Sequence, residues 1–204
     1  MPGATDTGAR GINERGQIVG RADTHGFLLD RGTLTTIDFP GAGGTSANGI
    51  NNRGQIVGDY GDAGGKSHGF VLDRGTFTTI DVPGATVTLA QGINEPGQIV
   101  GVYADGGGVH AFLLDHGALT TIDFPGASST GANGINNRGQ IVGDYNTVEF
   151  HIHGFVLDKG AFTTIDFPGA FGTGANGINE RGQIVGGYLE RVEHGLGAHG
   201  FVRF

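Results

Sequence analysis

Apolar and polar positions recur along this chain in a fixed order. An Ile-Val pair, a Phe-Leu-Leu or Phe-Val-Leu run and a Thr-Thr-Ile run follow one another, each a few residues long and each bounded by Gly, Asn or Asp. Short apolar runs rich in β-branched and aromatic residues, closed by turn formers, read as strands. No stretch shows helical periodicity over ten or more residues, and closely spaced Gly would penalise a helix. The pattern predicts four strands per unit. In the second unit they are Ser46 to Asn51, Gln55 to Tyr60, His68 to Asp73 and Phe77 to Asp81. Asn51-Asn52-Arg53-Gly54 and Asp73-Arg74-Gly75 lie between strand pairs, and Asn, Asp and Gly there are tight-turn chemistry. Tight turns join antiparallel neighbours, so each unit is a meander.

The unit repeats. Gly-Ile-Asn-x-x-Gly-Gln-Ile-Val-Gly occurs five times, at 11–20, 49–58, 92–101, 134–143 and 177–186. His-(Gly/Ala)-Phe begins at His25, His68, His110, His153 and His199. Thr-Ile-Asp-(Phe/Val)-Pro-Gly-Ala occurs four times, and a fifth Pro-Gly-Ala stands at Pro2 to Ala4. The Pro-to-Ile spacing is always 10 and the His-to-Asp spacing always 13, whereas the Ile-to-His interval runs 13, 18, 17, 18 and 21. All length change therefore falls in one loop per unit: Arg21–Thr24, Asp59–Ser67, Gly101–Val109, Asp144–Ile152 and Gly187–Ala198. In a repeat array such loops share one face.

These features predict an all-β fold, a five-bladed β-propeller of four-stranded antiparallel blades in one domain spanning 1–204. The units are 2–39, 40–82, 83–124, 125–167 and 168–204. Continuous Ile-Val and Phe-Val-Leu runs suit strands covered on both faces by neighbouring blades. Small residues on strand one, such as Ala47 with Gly49 and Ala90 with Gly92, suit the crowding near an axis. The fifth unit lacks the Thr-Thr-Ile run, so its blade is expected to miss the outer strand. A bare edge invites pairing; a monomer is expected, with an edge-paired dimer as the alternative.

Composition narrows the chemistry. Lys+Arg is 12 against 20 Asp+Glu, a net charge of −8, which argues against nucleic acid or an anionic membrane as partner. There is no Cys, which excludes a disulfide scaffold, a thiolate metal site and a thiol nucleophile. Gly is 43 of 204 residues but does not recur every third position, so collagen is excluded. No apolar run approaches the ~20 residues of a membrane helix, and Met1-Pro2-Gly3-Ala4 has no leader character.

Candidate sites divide into repeated and unrepeated residues. His25, His68, His110, His153 and His199 could be metal or catalytic groups, but fivefold recurrence points to a blade-locking hydrogen bond. Asp38, Asp81, Asp123 and Asp166 follow the same logic, accepting from a neighbouring hydroxyl or amide or facing solvent. Asn13, Asn51, Asn94, Asn136 and Asn179 open the hairpin turns. Unrepeated chemistry falls in the variable loops. Tyr60, Tyr103, Tyr145 and Tyr188 share one position, where a ring could stack on a sugar or pack beneath the loop. Glu149 and His151, and Glu193 with His194, complete the candidate ligand set. His151-x-His153 has the spacing of a metal pair, yet His153 belongs to the repeat, so no metal or other cofactor is expected. Gly41-Ala42-Gly43-Gly44 and Gly106-Gly107-Gly108 lack the following helix a phosphate loop needs.

The His-(Gly/Ala)-Phe repeats, with Gly-Ile-Asn-x-x-Gly-Gln-Ile-Val-Gly upstream, resemble the HAF family of extracellular repeats over nearly the whole chain. The resemblance implies an extracellular or cell-surface setting and no particular ligand. Together with the loop arithmetic it predicts a non-enzymatic domain that binds a glycan or protein through its variable loops. The alternatives are a structural or protein-interaction propeller and, third, a glycosidase-like enzyme, for which no asymmetric set of catalytic residues stands out.

Overall fold

A computed structural model describes residues 3–149, 151–193 and 195–204 of the chain. Among them all regular structure is β-strand, so no helix is long and apolar enough to cross a membrane. The strands fall into consecutive groups, one per sequence unit, here called blades. Blade 1 holds β1 (Thr7–Ile12), β2 (Ile18–Ala22), β3 (His25–Asp30) and β4 (Thr33–Ile37). Blade 2 holds β5 (Gly44–Ile50), β6 (Ile56–Gly61), β7 (Ser67–Asp73) and β8 (Thr76–Ile80). Blade 3 holds β9 (Val87–Ile93), β10 (Ile99–Asp105), β11 (Gly108–Asp115) and β12 (Ala118–Ile122). Blade 4 holds β13 (Ser129–Ile135), β14 (Ile141–Asn146), β15 (Ile152–Asp158) and β16 (Ala161–Ile165). Blade 5 has three strands among the described residues, β17 (Gly172–Ile178), β18 (Ile184–Val192) and β19 (Gly195–Arg203). Within every blade consecutive strands pair antiparallel. Single parallel bridges, Ser67 to Val87 and Val109 to Ser129, link blades 2, 3 and 4 into one continuous ladder.

The turns follow from local chemistry. Asn51 Oδ1 accepts from the amides of Arg53 (3.1 Å) and Gln55 (3.0 Å), which frees Gly54 to take φ +82. Between strands three and four, Arg74 at φ 49 and Gly75 at φ 82 give two left-handed residues in succession. That is the backbone of the two-residue turn whose twist matches paired strands. Each innermost strand then carries a register shift that leaves Arg10, Asn48, Gln91, Asn133 or Asn176 unpaired. A bulge re-aims its side chain, and these five line a central channel of about 500 Å³.

The core lies in the seams between blades. Val19 of blade 1 packs with Ala47 and Phe70 of blade 2, Val57 with Ala90 and Phe112, and Val100 with Ala132 and Phe155. Val142 likewise meets Ala175 and Phe201. Hydrogen bonds follow the same step. Asn13, Asn51, Asn94 and Asn136 each donate from Nδ2 to the carbonyl of the corresponding Asn one blade on, all at 3.1 Å. Innermost glycines sit backbone to backbone: a Cβ on Gly49 would stand 3.4 Å from the Gly92 Cα and 2.9 Å from the Gln91 oxygen.

The sequence pattern suggests a closed ring, and here the structure differs. Packing runs from blade 1 through blade 5, and among the described residues blades 5 and 1 make no comparable contact. Val185 and Val202 on the far face of blade 5 are 48% and 55% exposed, and Ile12 on blade 1 is 67% exposed, where the counterparts Val100 and Ile50 are 0% and 8%. Among the described residues, Asn179 Nδ2 donates only within its own turn, to Gln183. The arrangement is a propeller-like arc about one channel, open between the last strand group and the first.

Candidate functional site

The variable loops stand at the ends of strands two and three, opposite the tight turns. In the four complete blades the repeated His and Asp meet there. Nδ1 of His25, His68, His110 and His153 donates to Asp38, Asp81, Asp123 and Asp166 at 2.9, 2.7, 2.9 and 2.8 Å. These Asp therefore accept as expected, but the donor is an imidazole and not a hydroxyl or amide. In blade 2 the other nitrogen, His68 Nε2, reaches Asp62 of the variable loop at 3.2 Å. The Asp81 hydrogen bond, with Asp62 adding to it, pushes the His68 pKa up against the opposing effect of burial. His199 has no strand-four Asp, and its Nε2 reaches Glu190 at 2.9 Å instead.

The tyrosines lie one layer below. Tyr60, Tyr145 and Tyr188 stack on Phe39, Phe124 and Phe167 at 3.6, 3.7 and 3.8 Å, and on the repeated His at 5.1, 5.2 and 5.0 Å. Tyr103 stacks on His110 alone, because Val82 replaces the Phe. With both faces taken, Tyr60, Tyr145 and Tyr188 have none left for a sugar ring, and the Tyr60 and Tyr145 hydroxyls are bonded to Thr79 and Thr164.

Two half-buried carboxylates that sequence reasoning missed stand on the neighbouring residues. Asp59 and Asp144 accept from Nδ2 of the bulged Asn48 and Asn133, both at 2.8 Å. Those amides also donate to Ala90 and Ala175 of the next blade. Burial pushes both carboxyl pKa values up. At Asp59 the Asn48 hydrogen bond and the charges of Arg10 and Arg21 oppose this. At Asp144 only the Asn133 hydrogen bond opposes it.

Asp144 faces a shallow cavity of about 280 Å³ on the loop side, confined to the seam between blades 4 and 5. Ile152, Thr173, Tyr188 and His199 line it with Asp144. Phe171 and His151, each one residue from a lining position (Gly172 and Ile152), form a cluster of unrepeated residues with Arg191. The Phe171 ring meets His151 edge-on at 6.0 Å, and the Arg191 guanidinium lies 5.1 Å over the same ring. The equivalents of Phe171 in units two to four are Gly43, Thr86 and Ser128. Of the sequence-predicted residues, this seam gathers Tyr188, His199 and His151. Tyr60, Tyr103 and Tyr145 lie in other seams, Glu149 and Glu193 are exposed beyond the pocket, and His194 lies outside the described residues. The signal that could have located Asp144 and Phe171 was a variable residue inside an otherwise repeated motif. His151 and His153 diverge, toward Phe171 and Asp166, and no group of three or more potential ligands among the described residues converges on a metal position.

No family model and no curated protein matches this sequence. Solved structures do. TolB from Acinetobacter baumannii is similar with a TM-score of 0.71 at 16% identity, over 95% of this chain and 51% of that one. AofleA from Arthrobotrys oligospora gives 0.54 at 14% identity, over 91% and 64%. A candidate gluconolactonase gives 0.53 at 13%, over 91% and 73%. The chain spans about half the length of the TolB structure it matches. At these identities the likeness shows an all-β propeller-type fold, and only that.

Proposed function

We propose that this chain is a five-bladed, non-catalytic recognition domain whose loop side binds a hydroxyl-rich ligand of the glycan class, seated chiefly at the seam of blades 4 and 5. The observation that carries the reading is a cavity lined by Asp144 whose Ile152 and Gly172 are chain neighbours of His151 and Phe171, which cluster with Arg191, all at positions where the repeat varies. An aromatic ring beside the cavity offers a flat apolar face, and a half-buried carboxylate with nearby imidazoles offers hydrogen-bond partners; few groups of that kind in a concave site set orientation. Hydrolysis of a glycosidic bond would ask for two carboxylates flanking it, and Asp144 is the one carboxylate among the described pocket-lining residues. The resemblance to HAF repeats supports an extracellular or surface setting. A second reading, protein contact, is favoured by the long β18–β19 hairpin, which exposes Val192 and Leu196.

A glycan array probed with the intact chain tests the first reading. The expected result is a restricted set of positive glycans, lost in Phe171→Ala and in Asp144→Ala while the folded spectrum is kept. Silence on the array, or binding indifferent to both substitutions, overturns it. Binding of a purified surface protein that is lost on Val192→Ser with Leu196→Ser would favour the second.

A further inference from the structure

The outer edge of blade 5 carries a set of groups that the other blades satisfy with strand four. In blades 2 to 4 the tyrosine hydroxyl hydrogen-bonds a strand-four threonine: Tyr60 to Thr79, Tyr103 to Thr121 and Tyr145 to Thr164, at 3.1, 2.9 and 3.1 Å. Tyr188 stands at the same place with no such strand beside it among the described residues. The repeated His gives Nδ1 to the Asp after strand four, whereas His199 engages Glu190 through Nε2 and has no Nδ1 partner among the described residues. In blade 2 the same imidazole serves a loop acid and a strand-four acid at once, through Asp62 and Asp81. Blade 5 therefore has the first half of that arrangement.

Packing repeats the message. Phe70, Phe112 and Phe155 are fully buried, while Phe201 is only half-buried. Phe77 and Phe162 of strand four close edge-on over Phe70 and Phe155 at 5.3 Å each, and Leu119 packs with Phe112 in the same way. At blade 5 that place is a cavity of about 340 Å³, lined by Thr164, Ile165, Phe167, Phe201, Val202 and Arg203. Among the described residues the backbone edge of β19 is unpaired on that side. Such an edge is a template for an added strand, with alternate side chains giving selectivity.

We propose that β19 is an acceptor site for a β-strand lying outside these 204 residues, of the pattern (Phe/Leu)-Thr-Thr-Ile-Asp-(Phe/Val)-Pro. The register is fixed by blade 4, where Leu157 pairs with Phe162, Phe155 with Thr164 and Gly154 with Ile165. Carried over, the incoming Phe lies opposite Arg203 and fills the cavity. Its second Thr lies opposite Phe201 and meets the Tyr188 hydroxyl, its Ile lies opposite Gly200, and its Asp accepts from His199 Nδ1. The occupant is thus another strand of the same repeat, not an arbitrary peptide.

The test uses the intact chain and a labelled peptide copying residues 159–168, Lys-Gly-Ala-Phe-Thr-Thr-Ile-Asp-Phe-Pro. Saturable binding by fluorescence anisotropy is expected, with slowed amide exchange confined to residues 199–203. The peptide carrying Phe162→Ala should bind about a hundredfold more weakly and Asp166→Asn about tenfold. His199→Ala in the protein should remove the Asp166→Asn effect, because the partner is then gone. A second protein, extended after Phe204 by the same ten residues, should show slowed exchange at 199–203 without added peptide. The proposal is overturned if neither peptide nor extension slows exchange there, if a scrambled peptide binds equally well, or if the unextended chain is a dimer whose exchange at 199–203 is already slow.

Discussion

Val100 and Val185 occupy the same place in strand two of blades 3 and 5, and their surroundings differ completely. Val100 is fully buried against Ala132, Ile135 and Phe155 of the following blade. Val185 is 48% exposed because no blade packs over it. The same contrast separates Gly49 from Gly177 and Asn94 from Asn179, so it is a property of the seam and not of the residue. A blade of this size buries its apolar faces only against neighbours, and stability in such arrays is a sum of unit and interface contributions. The four sealed seams hold the molecule, and the two terminal faces contribute little.

That contrast can be broken or sharpened residue by residue. Gly49→Ala forces a Cβ to 2.9 Å from the Gln91 oxygen, whereas on Gly177 it meets only the Val185 side chain, at 3.3 Å. Chemical denaturation should show Gly49→Ala destabilised by about 3 kcal/mol and Gly177→Ala by under about 1 kcal/mol. Val100→Ala should cost about 2 kcal/mol against about 0.5 kcal/mol for Val185→Ala. Asn94→Ala should exceed Asn179→Ala by about 1 kcal/mol, since both cap a turn but only Asn94 also donates to the next blade. Equal losses within any pair would mean that the arc closes in solution.

The smallest effect concerns pH. Burial holds the Asp144 carboxyl pKa above its value in the unfolded chain. The folded state therefore keeps the proton longer, and stability falls as pH rises from the unfolded pKa through the folded one. Asp144→Asn retains an oxygen for Asn133 and has no proton to lose. Its unfolding midpoint should decline less than the wild-type midpoint between about pH 4 and pH 7; parallel curves would assign the pH dependence elsewhere.

Much of the fold was legible in the residues. Asn51, Gly54, Arg74 and Gly75 mark the turns, Ile-Val and Phe-Val-Leu the covered strands, and the absent Thr-Thr-Ile run the three-stranded blade. The opening between blades 5 and 1 was not legible, because repetition counts units but does not fix the angle between them. The shared position of the tyrosines was plain in the repeat, but their occupied faces depend on Phe39, Phe124 and Phe167 arriving from the preceding unit. Asp144 was hidden for a related reason: its burial comes from blade 5, far along the chain.

On the tight-turn side the bonds across the seams point one way, whereas on the loop side the Thr45 amide donates back to the Thr24 carbonyl. The Asn13, Asn51, Asn94 and Asn136 amides give a hydrogen forward to the carbonyl of the next blade, and the backbone amides of Glu14, Asn52, Glu95 and Asn137 likewise give theirs forward, to side chains one blade on. The assembly consequently has a donor end and an acceptor end, as a zip has. Two molecules meeting through like ends would oppose donor to donor or acceptor to acceptor along this row, so the row itself can continue only head to tail. Such a heterologous contact does not obey a two-fold axis and, repeated, yields either a closed ring or an unbounded helix.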